Sequence, residues 1–272
     1  MKKMNKSFYF IFLSFLMVYT VNAQISDAIP NHDNFSIKSV FVNETRVINV
    51  WTPPNYKNGK DSLPVLYMPD GGVKEDFPHI ANTIAKLVEN KSISPIILVG
   101  IENTERRRDL TGHSNEKKDA EYCPLTNGAK NFRAFIAEEL ILEIRKRYRI
   151  TNKKGIIGES LAGLFVMETF FLEPNIFDFY IAMDPSLWWN NHFLVKMSSQ
   201  YLKEFPTKEI KLWFAGSGAE DISIHTNEFS RTLENIVVKG LQWKYSDKPN
   251  EKHNTIFRAT KEAALTWTLN SK

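Results

Sequence analysis

The sequence predicts an α/β fold in which helices cover both faces of a mostly parallel sheet. Short runs rich in β-branched and aromatic residues alternate along the chain with longer segments of helical period, as is typical of strand–helix–strand units. Two runs, Leu63–Pro69 and Ser94–Ile101, are almost entirely apolar, which indicates strands buried on both faces. Ahead of them, residues 35–52 contain two strand-like runs around Asn43-Glu44 and predict an antiparallel hairpin at the start of the sheet.

The remaining predicted elements continue this alternation. Residues 130–148 place their apolar side chains on one helical stripe, with charges opposite, and predict an amphipathic helix packed on the sheet. The long polar stretch 102–128 lacks a period, and such stretches in compact domains are usually functional or mobile. Other helices are predicted at about 76–88, 161–172, 193–205, 226–238 and 259–269, and other strands at 154–157, 179–183, 210–215 and 241–246.

The first 23 residues have the pattern of a secretory signal peptide. Three lysines precede an apolar run that extends from about Phe8 to Val21, and Ala23 fits the small-residue cleavage rule. We therefore expect cleavage near Ala23, a mature domain of residues 24–272, and a periplasmic or secreted location. An uncleaved membrane anchor is the alternative, but the run is shorter than the roughly twenty residues that a span requires.

Composition excludes several classes of function. The formal charge of +4 falls to about +1 without the leader, which contains three lysines and no acidic residue, so neither a basic partner-binding surface nor nucleic-acid binding is expected. The only cysteine, Cys123, cannot form an intramolecular disulfide. It lies in a polar stretch without a glycine-rich turn, and we interpret it as a structural or incidental thiol rather than a nucleophile.

The segment GIIGESLAGLF carries the strongest signal in the chain. Gly158, Ser160 and Gly163 spell G-x-S-x-G between a predicted strand and an apolar helix. In that context the pattern indicates a sharp turn that presents a nucleophilic serine, in the manner of an α/β-hydrolase fold. The backbone N–H of Leu161 would point at the same spot and donate to an oxyanion. A purely structural turn is the alternative.

A serine hydroxyl needs a general base, and in this fold the chain order is serine, acid, histidine. Three of the six histidines precede Ser160, and His192 lies at a predicted helix start. Of the two that remain, His253 lies between the last predicted strand and the last predicted helix, where a loop can lean over the serine. We therefore predict His253 as the base, against the alternative of an ordinary surface histidine.

The predicted acid comes from the turn after the strand KLWFAGSGAED. Glu220 and Asp221 lie between that strand and the histidine loop, and we expect one of them to face His253. Glu220 is slightly favoured, although a shift of one residue in the turn exchanges the two. The alternative is that both are solvated turn residues.

A second oxyanion donor is expected from the loop YMPDGGVKED. At Gly71 and Gly72 no side chain prevents a backbone N–H from approaching a substrate. The alternative is that these glycines only form the turn.

Four motifs together resemble the putative-esterase family of α/β hydrolases, which contains enterochelin-esterase-like and esterase-D-like enzymes. The similarity extends over almost all of the mature chain. It implies Ser160 as nucleophile, His253 as base and an acid in the Glu220–Asp221 turn. It also implies esters as substrates, among them siderophore trilactones, feruloyl and acetyl esters on polysaccharides, and simple thioesters. The motifs are VLYMPDGG (65–72), VGIENTERRRDLT (99–111), IGESLAGLF (157–165) and FYIAMDPSLWWN (179–190).

Two local features bear on the substrate. Trp188 and Trp189 follow a strand at the edge where such sites open, and they are candidates for stacking on an aromatic acyl group or a sugar, or else core aromatics. Arg107, within the run Arg106–Arg108, is a candidate clamp for an anionic substrate, although a solvated charge run is the more common reading of such a sequence.

The sequence thus predicts an exported serine hydrolase that cleaves a carboxylic ester in a small molecule or on a glycan. Two alternatives remain open: acyl transfer to a sugar or lipid alcohol, and a hydrolase-fold protein that only binds a glycan or siderophore. No metal cluster or phosphate loop is apparent in the sequence, so no cofactor is predicted. The sequence gives no indication of the oligomeric state.

Overall fold

Eight strands form one sheet in the computed structural model, which describes residues 27–270. The predicted leader, residues 1–23, lies outside the described residues. The strands are β1 (Asp33–Lys38), β2 (Thr45–Trp51), β3 (Leu63–Met68), β4 (Ile97–Ile101), β5 (Ile150–Glu159), β6 (Phe179–Met183), β7 (Ile210–Ser217) and β8 (Leu241–Lys248).

The sheet has the order β1-β2-β4-β3-β5-β6-β7-β8. β1 pairs antiparallel with β2, and β2 pairs antiparallel with β4. All pairs from β4 across to β8 are parallel. The predicted fold class, a mostly parallel sheet that begins with an antiparallel hairpin, is therefore confirmed.

Helices cover both faces of the sheet because the central strands are apolar on both sides. In β3, Val65 and Tyr67 belong to one core cluster, whereas Leu66 and Met68 belong to the other. α1 and α8 pack on the second cluster, and α3 to α7 pack on the first. The helices are α1 (Phe77–Glu89), α2 (Arg106–Asp109), α3 (Gly128–Ala134), α4 (Ile141–Arg147), α5 (Leu161–Leu172), α6 (Trp189–Lys203), α7 (Glu220–Asn235) and α8 (Ile256–Leu269).

The helix predicted at residues 130–148 is continuous but not uniform. α3 and α4 are joined by a π-helical turn, Phe135–Leu140. The long polar stretch 102–128 folds into α2 and a 3₁₀ turn, Lys117–Glu121. It therefore has short helical pieces of its own, although its sequence shows no period.

The start of α7 differs from the prediction in a way that affects the site. The predicted helix begins at about residue 226, whereas α7 begins at Glu220, and only two residues separate it from the end of β7. Acidic side chains are favoured in the first turn of a helix because they complement its dipole, so Glu220 and Asp221 belong to the helix and not to a turn before it. The apolar stripe Ile222, Phe229 and Leu233 is buried.

α6 begins with a strained turn. Asn190, Asn191 and His192 all have left-handed backbone angles, with φ between 48° and 52°. Non-glycine residues rarely adopt this conformation, and Asn is among the side chains that tolerate it best. The turn separates Trp188 and Trp189 from the regular helix that follows.

The outer strands of the sheet bear lysines. On β8, Leu241, Trp243 and Tyr245 pack against the core, while Lys244 and Lys248 are exposed. Lys38 lies at the end of β1 on the opposite side of the sheet. Within residues 27–270, no helix combines the length and apolar character needed to cross a membrane.

Candidate active site

Ser160 lies in a tight turn between β5 and α5. Its backbone angles, φ 59° and ψ −120°, fall in a strained region that non-glycine residues occupy mainly at functional sites. A Cβ on Gly158 would lie 2.6 Å from the carbonyl carbon and oxygen of Ala162, and one on Gly163 would lie 3.0 Å from the carbonyl oxygen of Met183. Both glycines are therefore needed to close the turn.

Backbone hydrogen bonds hold this turn against the neighbouring strand. The N–H of Ser160 donates to the carbonyl of Met183 at 3.0 Å. The Ser160 carbonyl accepts from the N–H of Leu164 at 2.8 Å and from that of Ser186 at 3.1 Å. These bonds hold the residue at the carboxyl edge of the sheet, between the ends of β5 and β6.

The structure brings His253 to Ser160. The imidazole Nε2 lies 3.0 Å from Ser160 Oγ, and Nδ1 lies 2.6 Å from Asp184 Oδ2. We assign the proton to Nδ1, because a carboxylate there can only accept. Nε2 is then an acceptor for the serine hydroxyl. This arrangement of carboxylate, imidazole and hydroxyl can increase the nucleophilicity of the serine.

The carboxylate that faces His253 is Asp184, and the prediction of Glu220 or Asp221 in that position is wrong. Asp184 directly follows β6 and is fully buried. Its carboxylate also accepts from the Ser217 backbone N–H at 2.5 Å and from the Ser217 hydroxyl at 2.8 Å. Glu220 and Asp221 instead form the first turn of α7, from which Asp221 lines the cavity in front of Ser160.

Asp184 had a signal in the sequence, but a weak one. It follows the wholly apolar strand FYIAM at the edge where Ser160 also lies. An Asp-Pro pair after a strand is equally common as a turn signal. The turn after β7 was predicted because its two acidic residues lie at the end of a strand that precedes the histidine loop. In the structure the acid comes from one strand earlier, β6.

The hydrogen bond to Asp184 dominates the electrostatics of His253. It raises the pKa of the imidazole above its ordinary value, against the opposing effect of burial, and the negative charge of Glu159 adds to the increase. A raised pKa extends to higher pH the range over which the imidazole is protonated, and in that form it cannot accept the serine proton.

The backbone N–H groups predicted to donate to the oxyanion differ in whether they are free to do so. Leu161 is the first residue of α5 and lines the cavity, and its N–H has no acceptor among the described residues. The N–H of Gly71 donates to the Ile101 carbonyl at 2.9 Å, and that of Gly72 donates to Glu75 Oε2 at 2.7 Å. Because both glycine N–H groups are already used, the expectation that they bind an oxyanion is not met in this structure.

Gly71 instead has a packing role. A Cβ at this position would lie 2.2 Å from the backbone nitrogen of Ile101 and 2.3 Å from Cα of Gly100. The loop after β3 therefore lies directly against the end of β4, and this close approach excludes any side chain. The alternative that the glycines form the turn fits the structure.

A cavity of about 340 Å³ lies in front of Ser160 and His253. Its walls come from the long polar stretch 102–128 and from the starts of α5, α6 and α7, so they combine elements that are far apart in sequence. The lining residues are Arg106, Arg107, Tyr122, Cys123, Ser160, Leu161, Ser186, Trp188, Ala219, Asp221, Ile222 and His253.

The two tryptophans have different environments. Trp188 lines the cavity and meets the ring of Tyr122 edge-on, with the ring centroids 5.3 Å apart. Trp189 is buried in the core, and its indole N–H donates to the Gly112 carbonyl at 3.1 Å. Of the two candidates for substrate stacking, only Trp188 is in a position to stack on a substrate in this cavity.

The three consecutive arginines also differ in their hydrogen-bond and ion-pair partners. Arg106 makes two hydrogen bonds of 2.7 Å to Asp70, and Arg108 pairs with Glu44 and Asp109. Arg107 is exposed at the cavity, and its guanidinium has no ion-pair partner among residues 27–270. Arg107 is therefore the arginine of this run that is available to an anionic group.

Cys123 lines the same cavity but is buried and free of disulfide bonding. Burial raises the pKa of its thiol, in spite of the nearby Arg107 and Arg106. The thiolate is the nucleophilic form of cysteine, so a raised pKa makes Cys123 a poor competitor of Ser160.

Residues 39–261 match the protein family described as "Putative esterase". The chain belongs to this family. Membership identifies it as a carboxylic ester hydrolase. The match includes Ser160, Asp184 and His253, and it covers most of the residues that the structure describes.

Curated relatives and solved structures agree with this assignment. The chain is 26% identical over 249 residues to the ferri-bacillibactin esterase BesA of Bacillus subtilis, covering 84% of this chain and 86% of the relative. It is 25% identical over 243 residues to the apo-salmochelin esterase of Escherichia coli, covering 82% and 75%. An IroE-like serine hydrolase from Shewanella oneidensis superposes with a TM-score of 0.80 at 25% identity, covering 88% of this chain and 80% of that one.

Proposed function

We propose that the chain is an exported serine esterase that hydrolyses the ester bonds of a siderophore through an acyl-enzyme on Ser160. The observation that carries the mechanism is the continuous line of hydrogen bonds from Asp184 through His253 to the Ser160 hydroxyl. A protein that only binds its ligand has no need of a serine held in a strained turn against a buried carboxylate–imidazole pair.

In the proposed mechanism, Ser160 Oγ attacks the ester carbonyl while its proton passes to His253 Nε2. The buried Asp184 stabilises the imidazolium that results. The N–H of Leu161 donates to the oxyanion of the tetrahedral intermediate. His253 then protonates the departing alkoxide, and in the second half-reaction it accepts a proton from the water that hydrolyses the acyl-enzyme.

The names of the relatives and the residues that line the cavity support a siderophore ester as substrate. Two of the curated relatives are named as esterases of ferri-bacillibactin and of apo-salmochelin. In this chain, Trp188 and Tyr122 offer aromatic faces and Arg107 offers an unpaired positive charge. A ligand that combines aromatic rings with anionic oxygens, such as a catecholate lactone, suits this combination.

A substrate panel combined with a Ser160→Ala variant tests the proposal. The wild-type protein is expected to give a burst of p-nitrophenol from p-nitrophenyl acetate or butyrate, and Ser160→Ala is expected to lose the burst and essentially all turnover, because the acyl-enzyme cannot form. A fluorophosphonate should label Ser160, as checked by peptide mass spectrometry. Unchanged turnover in Ser160→Ala would refute the mechanism.

The substrate assignment has its own readout. Purified enzyme is incubated with a catecholate trilactone, a feruloyl ester, an acetylated sugar and short-chain esters, and the products are separated by chromatography. We expect the highest kcat/KM for the trilactone. A preference of tenfold or more for any other class would overturn the siderophore assignment and leave the serine mechanism intact.

Export is proposed from the leader-like pattern of residues 1–23. If the leader is cleaved as expected, the protein recovered from a bacterial periplasm or medium begins at Gln24, as N-terminal sequencing can determine. Recovery of the protein with its full N-terminus in the membrane fraction would instead support the uncleaved anchor.

A further inference from the structure

Glu159 and three carboxylates whose charges act on it form a group at the carboxyl edge of the sheet, and those three have hydrogen-bond partners. Glu159 itself directly precedes Ser160 and has no hydrogen-bond partner among the described residues. The bonded pairs are Asp70 with Arg106 and Asn103, Asp76 with His79, and Asp184 with Ser217 and His253.

The sheet register places Glu159 in the middle of this group. It is the last residue of β5 and pairs with Met183, the last residue of β6. On the other side of β5 lies β3, which leads into Asp70. Glu159 is therefore flanked by Asp70 and Asp184, and it is neither fully buried nor fully exposed.

Charged groups from five parts of the chain influence Glu159. They are Asp70 after β3, Asp76 before α1, Arg106 in α2, Asp184 after β6 and His253 before α8. Burial, together with the three carboxylates, raises the pKa of Glu159 to about 7, and His253 acts in the opposite direction. The other charges that influence His253 are those of Asp184 and of Asp221 in α7.

We propose that Glu159 is a positioning residue for the reaction, whose unpartnered carboxylate stabilises the His253 imidazolium that forms when Ser160 is deprotonated. This inference rests on the proposed serine mechanism. Glu159 accepts no proton from the substrate or from Ser160. Its negative charge lowers the free energy of the state in which the proton is on Nε2 of His253.

If Glu159 has this role, kcat/KM should depend on pH in a characteristic way. Above neutral pH Glu159 is ionised, so it favours both the imidazolium of the transition state and, by the same interaction, a higher pKa of His253 in the free enzyme. Below neutral pH Glu159 is protonated and contributes neither effect. Glu159 and His253 therefore lose their protons over overlapping pH ranges as the activity rises.

The test is the pH dependence of kcat/KM for wild-type protein and Glu159→Gln, measured with p-nitrophenyl butyrate. We expect Glu159→Gln to have a plateau several-fold lower at alkaline pH. Its acidic limb should be shifted to lower pH and should have the slope of a single proton. A loss of folded protein would instead lower activity by the same factor at every pH. Coincident profiles, or a uniform loss, would overturn the inference.

Two further variants and a spectroscopic measurement strengthen the test. Glu159→Asp keeps the charge and should restore most of the plateau. Glu262→Gln, on α8 and paired with Lys86, makes the same chemical change away from the cavity and should leave the profile unchanged. The pKa of His253, followed by NMR and assigned with His253→Gln, should be lower in Glu159→Gln than in the wild-type protein.

The outcomes separate the two proposals. A Ser160→Ala variant with unchanged turnover would refute the mechanism on which the inference depends. A Ser160-dependent wild-type enzyme in which Glu159→Gln leaves the pKa of His253 unchanged would refute the role of Glu159 alone.

Discussion

Asp184 is fully buried and is held by three hydrogen bonds. Two of them come from Ser217 and the third joins it to His253. Its backbone is in the left-handed region, with φ 47°, a conformation that is uncommon outside glycine and that aspartate tolerates better than most side chains. A buried carboxylate held by these hydrogen bonds fixes both the position and the tautomer of the imidazole next to it.

Replacing Asp184 with Asn should remove most of the activity. An amide in this position can donate to Nδ1 and so stabilise the tautomer whose proton is on Nε2, which cannot accept from Ser160. We expect kcat to fall on the order of 10³- to 10⁴-fold, as for comparable triads. Steady-state kinetics with p-nitrophenyl butyrate measures the change.

Glu220→Gln is the matched control for this substitution. Its side chain belongs to the first turn of α7 and does not line the cavity, so kcat should stay within about twofold of the wild-type value. If Glu220→Gln lost the activity and Asp184→Asn kept it, the assignment of the acid from the structure would be wrong.

Much of the site could be predicted from residues, because its strongest signal is local. The glycines around Ser160 are required by sterics within one turn, and the position of His253 follows from chain order. The acid depends on which strand end lies beside His253, and that is a property of the sheet and not of the chain. The bonding of the Gly71 and Gly72 N–H groups likewise depends on contacts with Ile101 and Glu75, which lie outside the two-glycine motif.

At the scale of the helices and strands, the strained backbone at the start of α6 helps to form the cavity wall. The left-handed turn Asn190–His192 allows Trp188 to line the cavity while Trp189 enters the core. Asn190 is tied to the long polar loop, since its N–H donates to Asp119 at 2.9 Å and its side chain accepts from the Asn115 N–H at 2.9 Å. The turn thereby joins the two segments that form one side of the cavity.

Substitutions at Asn191 measure how much the left-handed backbone conformation of this turn lowers the free energy of unfolding. Asn191 is exposed, so its replacement changes mainly the backbone preference. Asn191→Ala should lower the free energy of unfolding by about 1 kcal/mol, because alanine pays the full steric cost of the left-handed region. Asn191→Gly has no Cβ and should be neutral or slightly stabilising.

Urea denaturation of the three proteins gives the comparison. Equal stabilities of the alanine and glycine variants would show that the left-handed conformation at residue 191 is not maintained in solution.

The boundaries of helices and strands were predictable where the segment is marked by apolar residues and not where it begins with polar ones. α5 and β6 have the predicted bounds, because β6 is apolar throughout and α5 is apolar except at Glu168 and Thr169. β5 begins at Ile150, four residues before the predicted start, since its first half is mostly polar and none of it is fully buried. The first turn of α7 was missed for a related reason, because its two acidic residues carry no hydrophobic signal.

For the whole molecule, the raised pKa of Glu159 has a consequence for stability. The unfolded chain releases this proton near the ordinary pKa of glutamate, whereas the folded protein retains it up to about pH 7. Between these values the folded state binds more protons than the unfolded state, so its stability falls as the pH rises. The destabilisation is complete above about pH 7.

Glu159→Gln should therefore stabilise the protein at alkaline pH. We expect a gain in Tm on the order of a few degrees at pH 8 and almost none at pH 4. Differential scanning calorimetry at both values measures the difference. A gain of the same size at pH 4 would mean that the glutamine acts through packing and not through the loss of charge.

The lysines on the outer strands of the sheet bear on how the protein behaves in concentrated solution. The free edge of β8 carries Lys244 and Lys248, whose positive charges would confront the same charges on another molecule approaching edge-on. Charged side chains of this kind discourage intermolecular strand pairing. The enzyme should thus withstand crowding and storage without growing ordered aggregates from this edge.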